Sequence, residues 1–130
     1  MITEDYVSFE TAKLLKEKGF DEPCNSFYEY KKKLYIHDMD KYFPNGMKNS
    51  DHDKENNKGI SAPTLQMAMK WLREVHNIDI FPWKIGKGIY SCAIFNSNTG
   101  QDLSSNKDFP SEKYEVTCEA AIKYCLENLI

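Results

Sequence analysis

The side chains best suited to chemistry in this 130-residue sequence are three histidines, four cysteines and a run of three lysines. His37 lies beside Asp38 and near Asp40, and His52 is flanked by Asp51 and Asp53. Either cluster offers imidazole and carboxylate ligands to a divalent cation. The second is a poor calcium loop, because Asn56 stands where the sharp turn needs glycine and Ala62 where the bidentate Glu belongs. Both clusters therefore read as solvated loop, and neither a metal site nor a cofactor is expected. His76 closes a helix, where a protonated imidazole favours the dipole. Cys24, Cys92, Cys118 and Cys125 form no C-x-x-C pair and no zinc spacing. Cys118 and Cys125, seven residues apart, share a helix face and read as buried thiols. No G-x-S-x-G, phosphate-binding glycine loop or H-E-x-x-H occurs, so no catalytic residue is assigned and an enzyme is not expected.

Lys31, Lys32 and Lys33 pose the nucleic-acid question, since Tyr28, Tyr30 and Tyr35 flank them. Positive charge beside stackable rings is what single-strand binders use. The net charge of −3 and a pI near 5.6 argue the other way. A lysine turn also discourages edge-to-edge sheet association. Nucleic-acid binding through this basic patch is kept as the alternative function.

The elements that must position these residues follow from caps and periodicity. Ser8 as N-cap and Gly19 as stop bracket a first helix, with Phe20 placed to fold back on its last turn. A hairpin follows over 26–37, its three-residue lysine loop pairing Tyr30 with Leu34 and Tyr28 with Ile36. That register sets Tyr28, Tyr30, Leu34 and Ile36 on the core face and Phe27, Glu29, Tyr35 and His37 on the other. Residues 38–60 read as a long polar loop with a turn of helix near Met39 to Phe43, mobile over Asn49 to Lys58. A second helix is capped by Ser61, with Pro63 in its first turn and Leu65, Met69, Leu72, Val75 and His76 on one stripe. The second hairpin turns at Gly86-Lys87-Gly88, and an even-numbered loop puts Phe81, Trp83, Ile85, Tyr90, Cys92 and Ile94 inward. Gln101 to Ser105 offers a short edge strand. A last helix runs from Tyr114 to Leu129, with Cys118, Ala121, Ile122, Cys125 and Leu126 inward.

The expected architecture is thus one α+β domain over 1–130, ordered helix–hairpin–helix–hairpin–helix. Its antiparallel sheet has about four strands, with the helices packed on one face. No apolar run reaches the ~20 residues of a membrane helix, and the acidic N-terminus lacks signal-peptide features. A soluble cytoplasmic protein is the expectation.

Three segments carry a resemblance: Ser8 to Phe20, Pro63 to Ile78, and Tyr114 to Ile130 with Glu119-Ala120-Ala121-Ile122. Together they resemble small uncharacterised proteins encoded by phages, prophages and mobile elements of anaerobic gut bacteria. The likeness covers the three helices and no assigned activity comes with it. It implies a non-enzymatic accessory protein of phage or prophage type, in a bacterial cytoplasm or packaged in a virion. The sheet face turned away from the helices would carry Phe27, Tyr35 and His37 from the first hairpin and Ile80, Ile89 and Ala93 from the second. So apolar an open face marks an interface, for a protein partner or a homodimer.

Overall fold

A computed structural model describes residues 1–54 and 58–130. The chain is α+β; the described residues form four helices and two small antiparallel sheets of three and two strands, and they divide into two compact units at Thr64 and Leu65.

The first unit opens with α1 (Phe9–Glu17). Ser8 caps it, its hydroxyl accepting the Thr11 N–H at 3.2 Å, as the sequence predicts. Gly19, at φ +93°, ends the helix in the left-handed conformation that glycine adopts most readily. Phe20 then folds back to donate its N–H to the Leu15 carbonyl and is buried. Strands β1 (Ser26–Tyr28) and β2 (Leu34–Ile36) form the first hairpin. Tyr28 pairs with Leu34 and Ser26 with Ile36, two residues from the expected register. A slip of two preserves the faces, so Tyr28 is still buried and Phe27 still points the other way.

The expected loop over 38–60 is corrected. It holds a helix, α2 (Asn49–Lys54), and a strand, β3 (Ile60–Ser61), which pairs with β1. Polar anchors fix α2 where apolar ones are scarce. Buried Asn49 donates to the Phe20 carbonyl at 2.7 Å and accepts the Ser61 N–H at 2.9 Å. Asp21 accepts from both the N–H and the hydroxyl of Ser50. Ser61 is therefore a strand residue and not a helix cap. Residues 55–57, part of the expected mobile run and including the Asn56 of the calcium-loop comparison, lie outside the described residues.

The second unit contains α3 (Leu65–His76), β4 (Ile78–Lys84), β5 (Tyr90–Asn96) and α4 (Tyr114–Asn128). Helix α3 buries Leu65, Ala68, Met69, Trp71 and Leu72, while Val75 is exposed rather than part of the stripe. Helix α4 buries Thr117, Cys118, Ala121, Ile122, Cys125 and Leu126. Both helices pack on the β4–β5 hairpin. Segment 101–111 runs along the far side of β5 through isolated bridges, Phe95 with Asp102 and Tyr90 with Ser111, and forms no strand there.

The single four-stranded sheet is also corrected, because the two hairpins belong to separate sheets in separate units. The second hairpin differs from expectation in register as well. Ile85 and Ile89 bracket a three-residue loop, Gly86-Lys87-Gly88, and Phe81 lies opposite Ala93. This odd-numbered loop reverses the expected facing of β4, which is decisive for the surface described next.

Candidate interaction surface

The β4–β5 register and the pleat of a strand sort the hairpin into two faces. One carries Ile78, Ile80, Pro82 and Lys84 opposite Asn96, Ile94, Cys92 and Tyr90. Ile78, Cys92 and Ile94 are buried on it. The other face carries Asp79, Phe81, Trp83 and Ile85 alongside Ile89, Ser91, Ala93 and Phe95. On this second face Phe81 is 59% exposed, Trp83 48%, Ile85 42% and Ile89 40%. The buried apolar residues of the hairpin thus share a face with Pro82, Lys84 and Asn96, while Phe81 and Trp83 turn outward. Its buried polar member, Ser91, is satisfied by donating its hydroxyl to the Asp108 carbonyl.

Pro82 protects the edge beside this face. It pairs with Cys92, whose N–H is donated away from β4 to the Asp108 carbonyl at 3.0 Å. The pair is therefore the non-hydrogen-bonded kind, and the Pro82 nitrogen points to the outer edge, where it offers no donor. Among the described residues no other strand pairs with β4. Any association here is steered toward the face and away from the edge.

The six residues proposed from sequence for one open face are divided by the structure. Ile89 and Ala93 do lie on the outward face of β4–β5. Ile80 does not: it faces inward, opposite the fully buried Ile94, because the loop is odd-numbered. Phe27, Tyr35 and His37 belong to the other sheet's hairpin. Phe27 stacks on Tyr35 at 5.3 Å between ring centroids, and its ring also meets that of His52 on α2 at 5.0 Å. His52 is therefore a buried member of the first unit rather than a solvated loop residue. His37 pairs with Asp40 at 2.8 Å on the surface. Phe81 and Trp83, the largest exposed side chains of the second hairpin, were assigned inward by amphipathic reasoning; the signal that finds them is the odd loop length.

The lysine turn is tied down locally. Tyr30, Lys31 and Lys32 form the three-residue loop between Glu29 and Lys33. Lys32 holds the left-handed position at φ +64°, where glycine is the usual occupant. Its ammonium lies 5.3 Å from the Phe9 ring centre and 3.5 Å from the Glu10 carboxylate, clamping the turn to α1. Lys33 covers the Tyr35 ring at 5.0 Å and Lys31 the Tyr30 ring at 5.5 Å.

Three of the four thiols are held in the neutral form, while the hydrogen bond from Cys118 lowers the pKa of Cys92. Burial pushes Cys125 up to about 12, and burial followed by the nearby Glu22 carboxylate does the same to Cys24. Cys118 is raised by its hydrogen bond with Cys92 and then by burial. Such thiols are poor nucleophiles at neutral pH. Among the described residues no three His, Cys, Asp or Glu side chains form a group that could hold a metal. No described helix is long and apolar enough to cross a membrane. Comparison with protein-family models, with curated proteins and with solved structures finds no match to this chain.

Proposed function

We propose that the protein is a non-enzymatic interaction module, an accessory protein of phage or prophage type, which docks through the outward face of β4–β5. One observation carries this reading. The hairpin leaves Phe81, Trp83, Ile85 and Ile89 exposed on one face, while its buried apolar residues, Ile78, Cys92 and Ile94, lie on the face shared with Pro82 and Lys84. A solvated antiparallel face is ordinarily the polar one, and contiguous exposed apolar surface ordinarily marks an interface. Aromatic side chains are also the usual anchors of such interfaces.

Affinity capture from lysates of anaerobic gut bacteria tests the reading. The native chain retains a defined protein, its own second copy included, and Phe81→Glu and Trp83→Glu lose it while melting like the native protein. Identical capture by all three chains overturns the proposal.

The alternative, nucleic-acid binding at Lys31 to Lys33, draws support from the exposed Tyr30 ring beside Lys31. It is the weaker reading, because Lys32 is held by Glu10 and Phe9 and Lys33 covers the ring of Tyr35. A low-salt gel shift with single- and double-stranded DNA and RNA separates the two. A shift abolished by Lys31→Ala with Lys33→Ala would favour the alternative.

A further inference from the structure

The β4–β5 hairpin has opposite charges at its two ends. Asp79 stands at the base and Lys87 at the turn. Between Ile80 and Gln101 the only charged residues are Lys84 and Lys87, in a chain whose net charge is −3. Lys84 points to the inward face, where its ammonium lies 5.7 Å from the Tyr90 ring centre. Lys87 is left as the charge of the turn. The two ends also differ in shape. Asp79, Phe81, Phe95, Asn96 and neighbouring residues line an open depression of about 490 Å³ at the base. At the turn, nothing lies within 4 Å of where a Cβ would stand on Gly86 or Gly88, so the loop projects clear of its surroundings.

Resting on the interaction reading above, we infer that the occupant of this face is a second copy of the chain. The two hairpins lie face to face and antiparallel about a two-fold axis near Trp83, and the turn of each seats in the base depression of the other. Trp83 is the midpoint of the stretch from Asp79 to Lys87. An axis there exchanges the two ends, so Lys87 of each copy meets Asp79 of the other, and Phe81 meets the partner's Ile85. The strand from Asp79 to Ile85 spans about 20 Å at ~3.4 Å per residue, so both ends meet together in one closed, self-complementary contact. A parallel arrangement would bring like charges together at each end. Edge-to-edge pairing is disfavoured because Pro82 withholds its donor in the middle of β4.

Sedimentation equilibrium of the full chain at low ionic strength tests this. The native protein is a dimer, and Trp83→Glu is a monomer that melts cooperatively, like the native chain diluted below its dissociation constant. Lys87→Glu and Asp79→Lys each replace both symmetry-related ion pairs with like-charge contacts and weaken dimerisation at least roughly tenfold. The double variant Asp79→Lys with Lys87→Glu recovers the native affinity, because the reversed charges meet again across the axis. A native monomer, a dimer indifferent to Trp83→Glu, or a double variant no tighter than the single ones overturns the second-copy inference. If the native chain is monomeric while Trp83→Glu still removes a captured bacterial protein, only the second copy is lost. If no captured protein depends on Trp83 either, the interaction reading falls with it.

Discussion

The two hairpins use one device to different ends. Both turn through three residues, Tyr30-Lys31-Lys32 in the first and Gly86-Lys87-Gly88 in the second. In the first, a lysine occupies the left-handed position and clamps the turn to α1, and His52 packs on the outer ring of Phe27. In the second, glycines leave the turn clear of other atoms, and Phe81 and Trp83 remain exposed. The chain covers the outer face of one hairpin with its own helix and leaves the other open. An apolar face closed by its own chain is core, and the same kind of face left open stays in contact with water.

The largest effect should come from crossing the second hairpin from one face to the other. Ile94→Ala removes a fully buried side chain and should cost about 2–5 kcal/mol by chemical denaturation. Phe81→Ala, one register position away on the other face, should cost less than about 1 kcal/mol despite deleting a larger side chain. Equal losses would mean that both faces are covered.

Alkaline titration should weaken both units for the same reason, by at most a few kcal/mol. Cys24 lies beside the first hairpin and Cys125 in α4, and burial raises each from near 9 to about 12. A group whose folded-state value is raised contributes its full stability below the unfolded value and loses it as pH climbs through the folded one. Stability should therefore fall between pH 9 and 12. Cys125→Ala should flatten that fall when followed by tryptophan fluorescence, because Trp71 and Trp83 both lie in the second unit. An unchanged slope would mean that Cys125 ionises without penalty.

The smallest effect sharpens the contrast between the turns. Lys32→Ala keeps the left-handed strain, of order 1 kcal/mol, and loses the contacts with Phe9 and Glu10. Lys32→Gly loses the same contacts and relieves the strain. Thermal melts should place the alanine variant below the native protein and the glycine variant above the alanine one by about 1 kcal/mol. If the two variants melt together, Lys32 sits there without strain.

The sequence disclosed its helices better than its sheets, and the reason lies in particular residues. Ser8, Gly19 and Phe20 mark α1, and apolar spacing marks α4 within a residue and the body of α3, whose start lies three residues beyond the one a Ser61 cap implies. Helix α2 was invisible because Asn49 and His52, its buried residues, are polar and carry no hydrophobic period. The second hairpin is placed correctly by the sequence, with β4 facing the wrong way. Both of its faces are apolar enough to serve as core, so alternation could not choose between them, and two glycines around Lys87 permit either loop parity. Ile89 and Ala93 were found on the open face; Phe81 and Trp83 were missed for that same reason.

The loop parity is matched at the other end of β4 by a single residue. Helix α3 ends at His76 and β4 begins at Ile78, so only Asn77 joins them, at φ +57° with its carbonyl accepting the Ser97 N–H at 2.8 Å. Asparagine is among the few residues that tolerate this conformation, so the junction is a fixed corner and not a flexible link. The phase of the strand is consequently inherited from the helix. One inserted residue after Asn77 would rotate β4 by half a pleat, carrying Phe81 and Trp83 inward and Ile80 and Pro82 to the surface. Insertions and deletions at this corner therefore act as a parity switch on the hairpin, and the spacing of α3 to β4 constrains the exposed surface as tightly as any side chain upon it.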